Sequence, residues 1–228
     1  MKDNFKFPSP EQVNKIYGNM VKILPFRLAY QYGINSLMNN ESTLEEIKRE
    51  NHLQEWNYVF ASRITKLNFA FIYAMAYYEW SLKEEIFFNL TTTNQFLLEF
   101  YIESFYNLYF TTVEIIAQIV NVNYNINKEE DDVSWNKLKK AGVSAKVLAY
   151  FEEFKKNYEL AKEIRNSFNH RFPGNVKDLR LEFNYTNPGY EIAPLAKVLL
   201  PENFISNMET SMQSLAIFTV HLQGELGS

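Results

Sequence analysis

Residues 91–125 read TTTNQFLLEFYIESFYNLYFTTVEIIAQIVNVNYN, with neither Gly nor Pro anywhere in the run. Leu97, Tyr101, Phe105, Leu108, Thr112, Ile115, Ile119 and Val122 recur at helical spacing. Glu99, Glu103, Asn107, Glu114, Gln118, Asn121 and Asn125 mark the opposite stripe. The pattern predicts one long amphipathic helix over 91–125. Upstream, residues 54–80 predict a second helix, apolar nearly all round in its latter half, as suits a helix surrounded by others. Shorter helices are expected at 11–24, broken at Pro25, and at 43–50.

Downstream, a polar loop ends in Glu129-Glu130-Asp131-Asp132. Four successive carboxylates cannot all converge on one hard cation. They read instead as solvated and capping residues ahead of a short helix at 134–141. After Gly142 a further helix covers 144–170, with Val147, Phe151, Phe154, Tyr158 and Phe168 on its apolar face, and stops before Pro173-Gly174. The period then changes to two. Leu179, Leu181, Phe183 and Tyr185 alternate with Arg180, Glu182 and Asn184, and Thr186-Asn187-Pro188-Gly189 turns the chain. A β-hairpin over 179–195 follows from this. The last helix, 202–223 after Pro201, carries Ile205, Met208, Met212, Leu215, Thr219 and Leu222 along one side. The expected fold is all-α, an up-and-down helical bundle in a single domain over 1–228, with a small C-terminal β-hairpin.

The chain has 228 residues, 46% hydrophobic and 16% aromatic, which supplies a core and excludes a disordered chain. With no Cys, disulfide scaffolds, thiolate metal sites and cysteine nucleophiles are excluded. No H-E-x-x-H, G-x-S-x-G, P-loop or G-x-G-x-x-G is present, and neither a metal nor a cofactor is expected. The stretch 67–78 is too short to span a membrane, and residues 1–8 lack the apolar run of a signal peptide. The expected location is therefore the cytoplasm. Histidines are scarce. His52 reads as part of a helix-ending loop, and His221 as a cation near the end of the last helix. The third is His170.

Around His170 the chain reads Glu163-Ile164-Arg165-Asn166-Ser167-Phe168-Asn169-His170-Arg171-Phe172-Pro173. At about 100° per residue, Arg165 falls in the middle of the apolar face set by Val147, Phe151, Phe154 and Tyr158. A cation there needs a carboxylate, an incoming anion or another subunit. If the partner is a carboxylate, Glu99, Glu103 or Glu114 would serve, and His170 would merely cap the helix end. Asn166 and His170 are one turn apart, so the amide can orient the imidazole. Arg165 and His170 lie about 140° apart on the wheel and point in different directions within one protomer. Two copies meeting across an axis would bring both types of group together. Such a set suits RNA transesterification. Arginine supplies a planar charged fork for phosphate, and histidine moves protons at the 2′-hydroxyl and the leaving 5′-oxygen.

Arg165-Asn166-x-x-x-His170 at the end of a long helix resembles the signature of the HEPN superfamily. Many members of that family are metal-independent endoribonucleases whose composite site forms where two protomers pair. The resemblance implies a homodimer with Arg165 and His170 as catalytic residues, supported by Asn166 and Asn169. It implies an RNA substrate, and a setting of phage defence or toxin–antitoxin control with an antitoxin or regulatory protein as partner. The likeness covers a core of about 54–172 and the helix 202–223. Residues 1–53 stand outside it as an N-terminal helical extension, as does the hairpin. One departure is Phe172, where members modified by a nucleotidyltransferase antitoxin often carry Tyr, so control by that modification does not fit. Some HEPN domains only bind nucleotides or protein partners, and a non-catalytic module is the other reading.

Charge distribution agrees with an RNA substrate. The whole chain is −4, yet residues 133–180 hold eleven basic and five acidic residues, +6, against twelve and 22, −10, elsewhere. Lys155, Lys156, Lys162 and Arg171 in that segment are the expected RNA-binding residues.

Overall fold

In a computed structural model of the protein, the described residues are 7–28, 43–83, 92–170, 181–184, 189–192 and 201–226. Helix α1, Pro10–Asn19, starts where Ser9 accepts a hydrogen bond from the Gln12 N–H, with Pro10 in its first turn. The expected extension to 24 does not occur. Gly18 and Asn19 are poor helix formers, and Met20 leaves the helix with extended backbone. From there Ile23 and Phe26 reach the core.

Helix α2 runs from Leu44 to Lys83, 40 residues without a break. Its start is a capping box: Thr43 Oγ1 accepts from the Glu46 N–H at 3.2 Å, and the Glu46 carboxylate takes the Thr43 N–H at 2.7 Å. Those bonds hold the Glu46 carboxyl below its ordinary range. The two helices expected at 43–50 and 54–80 are thus one, and His52 sits inside it rather than in a loop. Nothing between residues 50 and 54 lacks an amide hydrogen, and Leu53 and Trp56 pack against the core, so the helix has no reason to stop.

Helix α3, Thr92–Asn123, is the axis of the molecule, touching α2 along most of its length and α4 (Trp135–Lys139), α5 (Ala145–His170) and α6 (Pro201–Leu226). It ends in a Schellman motif: Asn125 takes φ +51°, its N–H returns to Val122 O, and the Ile126 N–H to Asn121 O. The buried face is wider than the expected stripe. Of that stripe Phe105, Thr112, Ile115 and Ile119 are buried, while Leu97, Tyr101, Leu108 and Val122 are only partly covered. Leu98, Ile102, Tyr106, Tyr109, Val113, Ile116 and Val120 beside it also face inward. Asn121, expected on the solvent stripe, is buried, and its amide clamps Lys128 through both the N–H and the carbonyl. The acidic run becomes a 3₁₀ turn, Glu130–Asp132, whose Asp132 pairs with Lys128 and Lys137. Gly142, at φ +91°, reverses the chain into α5, where a side chain would be strained.

Between α5 and α6, strands β1 (Leu181–Asn184) and β2 (Gly189–Ile192) pair antiparallel, with Leu181 opposite Ile192 and Phe183 opposite Tyr190. Among the described residues no helix is long and apolar enough to cross a membrane.

Side-chain amides fasten the segment after α1. Asn57 of α2 accepts from the Phe26 N–H at 3.0 Å and donates to Phe26 O at 2.7 Å. Gln223 of α6 does the same for Arg27 at 2.6 and 3.0 Å. Each amide acts as a strand partner for a segment that has none among the described residues. Asn57→Ala removes both bonds at Phe26 and is expected to lower unfolding stability by about 1–3 kcal/mol. A denaturant melt unchanged by the substitution would show that water replaces the amide at no cost.

Candidate active site

Ser144 caps α5, accepting from the Val147 N–H at 3.2 Å. Val147, Phe151, Phe154, Ala161 and Ile164 are buried against α3 and α6, which fixes the rotation of the helix. That rotation leaves Arg165 half-buried. Its guanidinium carbon stands 5.1 Å from the centre of the Phe110 ring. The Phe110 ring lies 4.7 Å from that of Tyr158. Arg165 forms no ion pair among the described residues, so Glu99, Glu103 and Glu114 do not neutralise it. Its Nε is buried without a hydrogen-bond partner. A ring face offsets desolvation by about 0.5–2 kcal/mol, while an unpaired buried donor costs about 1–3 kcal/mol. An anion brought to the fork would relieve that cost.

Asn166 lies beside it, half-buried. Asn169 and His170 close α5, so the rise from Arg165 to His170 is about 7.5 Å along one unbroken helix. The side chains of Asn169 and His170, and Arg171 and Phe172 altogether, lie outside the described residues.

The expected RNA-binding lysines separate into two places. Lys155 and Lys162 line a cleft of about 480 Å³ between α3, the 3₁₀ turn, α4 and α5, together with Tyr158. Lys156 lines a different groove, against Asn157, Leu160 and Ile164 between α5 and α6. Adjacent helical residues are turned by about 100°, which puts Lys155 and Lys156 on different faces. Much of the local charge is also paired. Lys137, Lys139, Lys146 and Lys162 meet Asp132, Glu152, Glu225 and Glu159, whereas Lys155 and Lys156 form no ion pair among the described residues. Phe110 and Tyr158 were not singled out as site residues by the sequence, and Glu114 was offered only as an ion-pair partner for Arg165. Tyr158, seven residues before Arg165, could have been found from helical spacing, but Phe110 sits on another helix and had no local signal. His221 rests on Tyr150, ring centres 4.6 Å apart, away from these residues.

Burial raises the phenol pKa of Tyr158, with Glu114 and Glu159 acting in the same direction and Arg165 opposing. Burial likewise raises Tyr106 and Tyr109. All three begin from a value of 10.0 when exposed. Above about pH 10 the unfolded chain loses these protons and the folded chain keeps them, so stability is full below that pH and falls as pH rises beyond it. Urea midpoints measured from about pH 9 to about pH 11.5 should decline, and Tyr158→Phe should flatten the slope by up to one proton. A midpoint independent of pH over that range would contradict it.

A family model described as Cthe2314-like HEPN matches residues 56–223. No curated protein and no solved structure gives a significant match to the chain. The matched span begins inside α2, contains α3, α4 and all of α5, and reaches Gln223 in α6. On a match over about three quarters of its residues, the chain belongs to the Cthe2314-like HEPN family.

Proposed function

We propose that this protein is a metal-independent endoribonuclease, active as a homodimer, with Arg165 and His170 as its catalytic pair. The observation that carries this reading is the half-buried Arg165, which has no carboxylate partner among the described residues and an unsatisfied Nε over the Phe110 ring. The ribose 2′-hydroxyl attacks the adjacent phosphorus as its proton passes to an imidazole. Arg165 holds the charge that builds on the non-bridging oxygens, and an imidazolium returns a proton to the departing 5′-oxygen. One strand becomes two, ending in a 2′,3′-cyclic phosphate and a 5′-hydroxyl. The two proton transfers need one neutral and one protonated imidazole, which two protomers supply as two His170 side chains. Asn166, one helical turn before His170, orients the ring, with Asn169 in support. Lys155 and Lys162, with Arg171, hold flanking phosphates, while Lys156 lies in a groove apart. Cleavage would serve phage defence or a toxin–antitoxin pair held in check by a protein partner.

The test is incubation of a mixed RNA pool with the protein in chelator. The expected result is fragments with cyclic phosphate ends that a phosphatase removes only after acid opening. Intact RNA with protein in excess would overturn the reading. The other reading, a non-catalytic module for nucleotide or protein binding, draws on the same stacking of Arg165 on Phe110, taken as packing alone. Under it Arg165→Met would leave every RNA-dependent property unchanged.

A further inference from the structure

The cleft lined by Lys155, Tyr158 and Lys162 has two unlike walls. On α5 these three, with Glu159 among them, form one wall. Arg165, three residues past Lys162, continues the strip of Lys155, Tyr158 and Lys162 beyond the cleft. The four lie at offsets of zero, three, seven and ten residues, within about 80° and about 15 Å. Opposite the α5 wall stand Glu114 of α3 and Glu130 and Asp131 of the 3₁₀ turn. The Gln118 side-chain amide donates to Glu130 O at 2.8 Å and so ties the turn to α3. Asp132 is taken up by lysines, but Glu114, Glu130 and Asp131 form no ion pair among the described residues. Lys162 leans on Glu159 at 3.4 Å, an exposed contact that exchanges readily for a phosphate.

A cleft of about 480 Å³ falls in the size range of small-molecule sites. Ionised carboxylates accept hydrogen bonds and repel other acceptors, so this wall rejects phosphate. The α5 wall carries two lysines against the single carboxylate of Glu159, which Lys162 pairs, and so favours an anion. A ligand filling both must carry an anion on one side and a group of N–H donors on the other. A nucleotide does so when its base presents donors outward. Guanine suits best, because its N1–H and exocyclic N2–H lie side by side and match the two oxygens of one carboxylate. Uracil presents a single N–H between two carbonyls, which a carboxylate wall repels.

We infer that this cleft is a base-recognition subsite, seating guanine beside the phosphate held at Arg165. This specificity rests on the ribonuclease reading of Arg165, but the binding it requires is measured without cleavage. The indole of Trp135 forms part of the cleft wall, its Nε1 donating to Val113 O at 3.4 Å. Its ¹⁵N-indole resonance in the wild-type protein is titrated with guanosine, inosine and uridine 5′-monophosphates, none of which has the 3′,5′-phosphodiester that the proposed cleavage requires. The guanosine nucleotide should shift Trp135 and bind about tenfold or more tightly than the uridine one, as for a bidentate base contact. Inosine, lacking the N2 amine, should fall between. Glu114→Gln and Asp131→Asn, both at polar sites, should bring the guanosine affinity toward that of uridine. Equal affinities for the three nucleotides, or a Trp135 resonance that none of them moves, would overturn the subsite. RNA cleaved with no preference for guanine at its ends removes the subsite and leaves the ribonuclease. Selective guanosine binding with no cleavage does the opposite.

Discussion

RNA cleavage is expected to fall by about 10²–10⁴ when His170 becomes alanine, with the thermal melt unchanged. The size follows from the loss of positioned proton transfer at both the attacking and leaving oxygens. His170 is the last residue of α5, so its removal disturbs no helical hydrogen bond inside the chain. Arg165→Ala should cost a comparable factor, since the guanidinium is the fixed charge nearest the reacting phosphorus in the proposed site. Arg165→Lys should not rescue it, because an ammonium lacks the planar fork. Residues that act as a unit are not additive, so the double variant should be little worse than either single one. If Arg165 of one protomer works with His170 of the other, mixing the two single variants yields heterodimers with one intact site and partial recovery. Cleavage that persists in the His170→Ala protein would refute the assignment. Loss of cleavage together with a collapsed melt would leave Arg165→Met, expected to fold normally, as the deciding variant.

The largest expected effect on stability is at Phe218 of α6. Its ring lies 4.6 Å from that of Phe154, nearly parallel at 15°, and 5.6 and 6.1 Å from those of Trp135 and Phe151. Trp135 and Phe151 themselves stack at 4.2 Å. This cluster joins α4, α5 and α6, and Phe218 is 1% exposed. Phe218→Ala empties the middle of it and is expected to lower the unfolding free energy by about 3–5 kcal/mol, a third or more of what many domains possess. Phe218→Leu should recover most of that. A change below about 1 kcal/mol would mean the cluster collapses onto the vacancy, contrary to close packing. Because these rings set the rotation of α5, the alanine variant should also lose activity at temperatures where it remains folded.

How the sequence relates to these features depends on the range of each interaction. The helices around 91–125, 144–170 and 202–223 were legible because apolar spacing within one segment reports burial on one side. The motif was legible for the same reason, since Arg165, Asn166 and His170 belong to one helix. The break expected near residue 51 was wrong because no residue there forbids a helix, and Leu53 and Trp56 continue the packing. Asn121 was misplaced because a buried amide looks like a solvent-facing one until the loop it clamps is known.

By itself, then, the sequence determined the helical class, the absence of thiol chemistry, the spacing of Arg165 to His170 and the basic character of residues 133–180. Tertiary structure decided what surrounds Arg165: the Phe110 ring from another helix beneath it and no ion pair with a carboxylate among the described residues, with a cleft lined by Lys155, Tyr158 and Lys162 further along α5. It also parted Lys155 from Lys156, neighbours in the chain that line different grooves. The physical reason is that periodicity is a property of neighbours along one helix. The partner of a side chain across a packed interface is set by how several helices interlock, and no single segment carries that information.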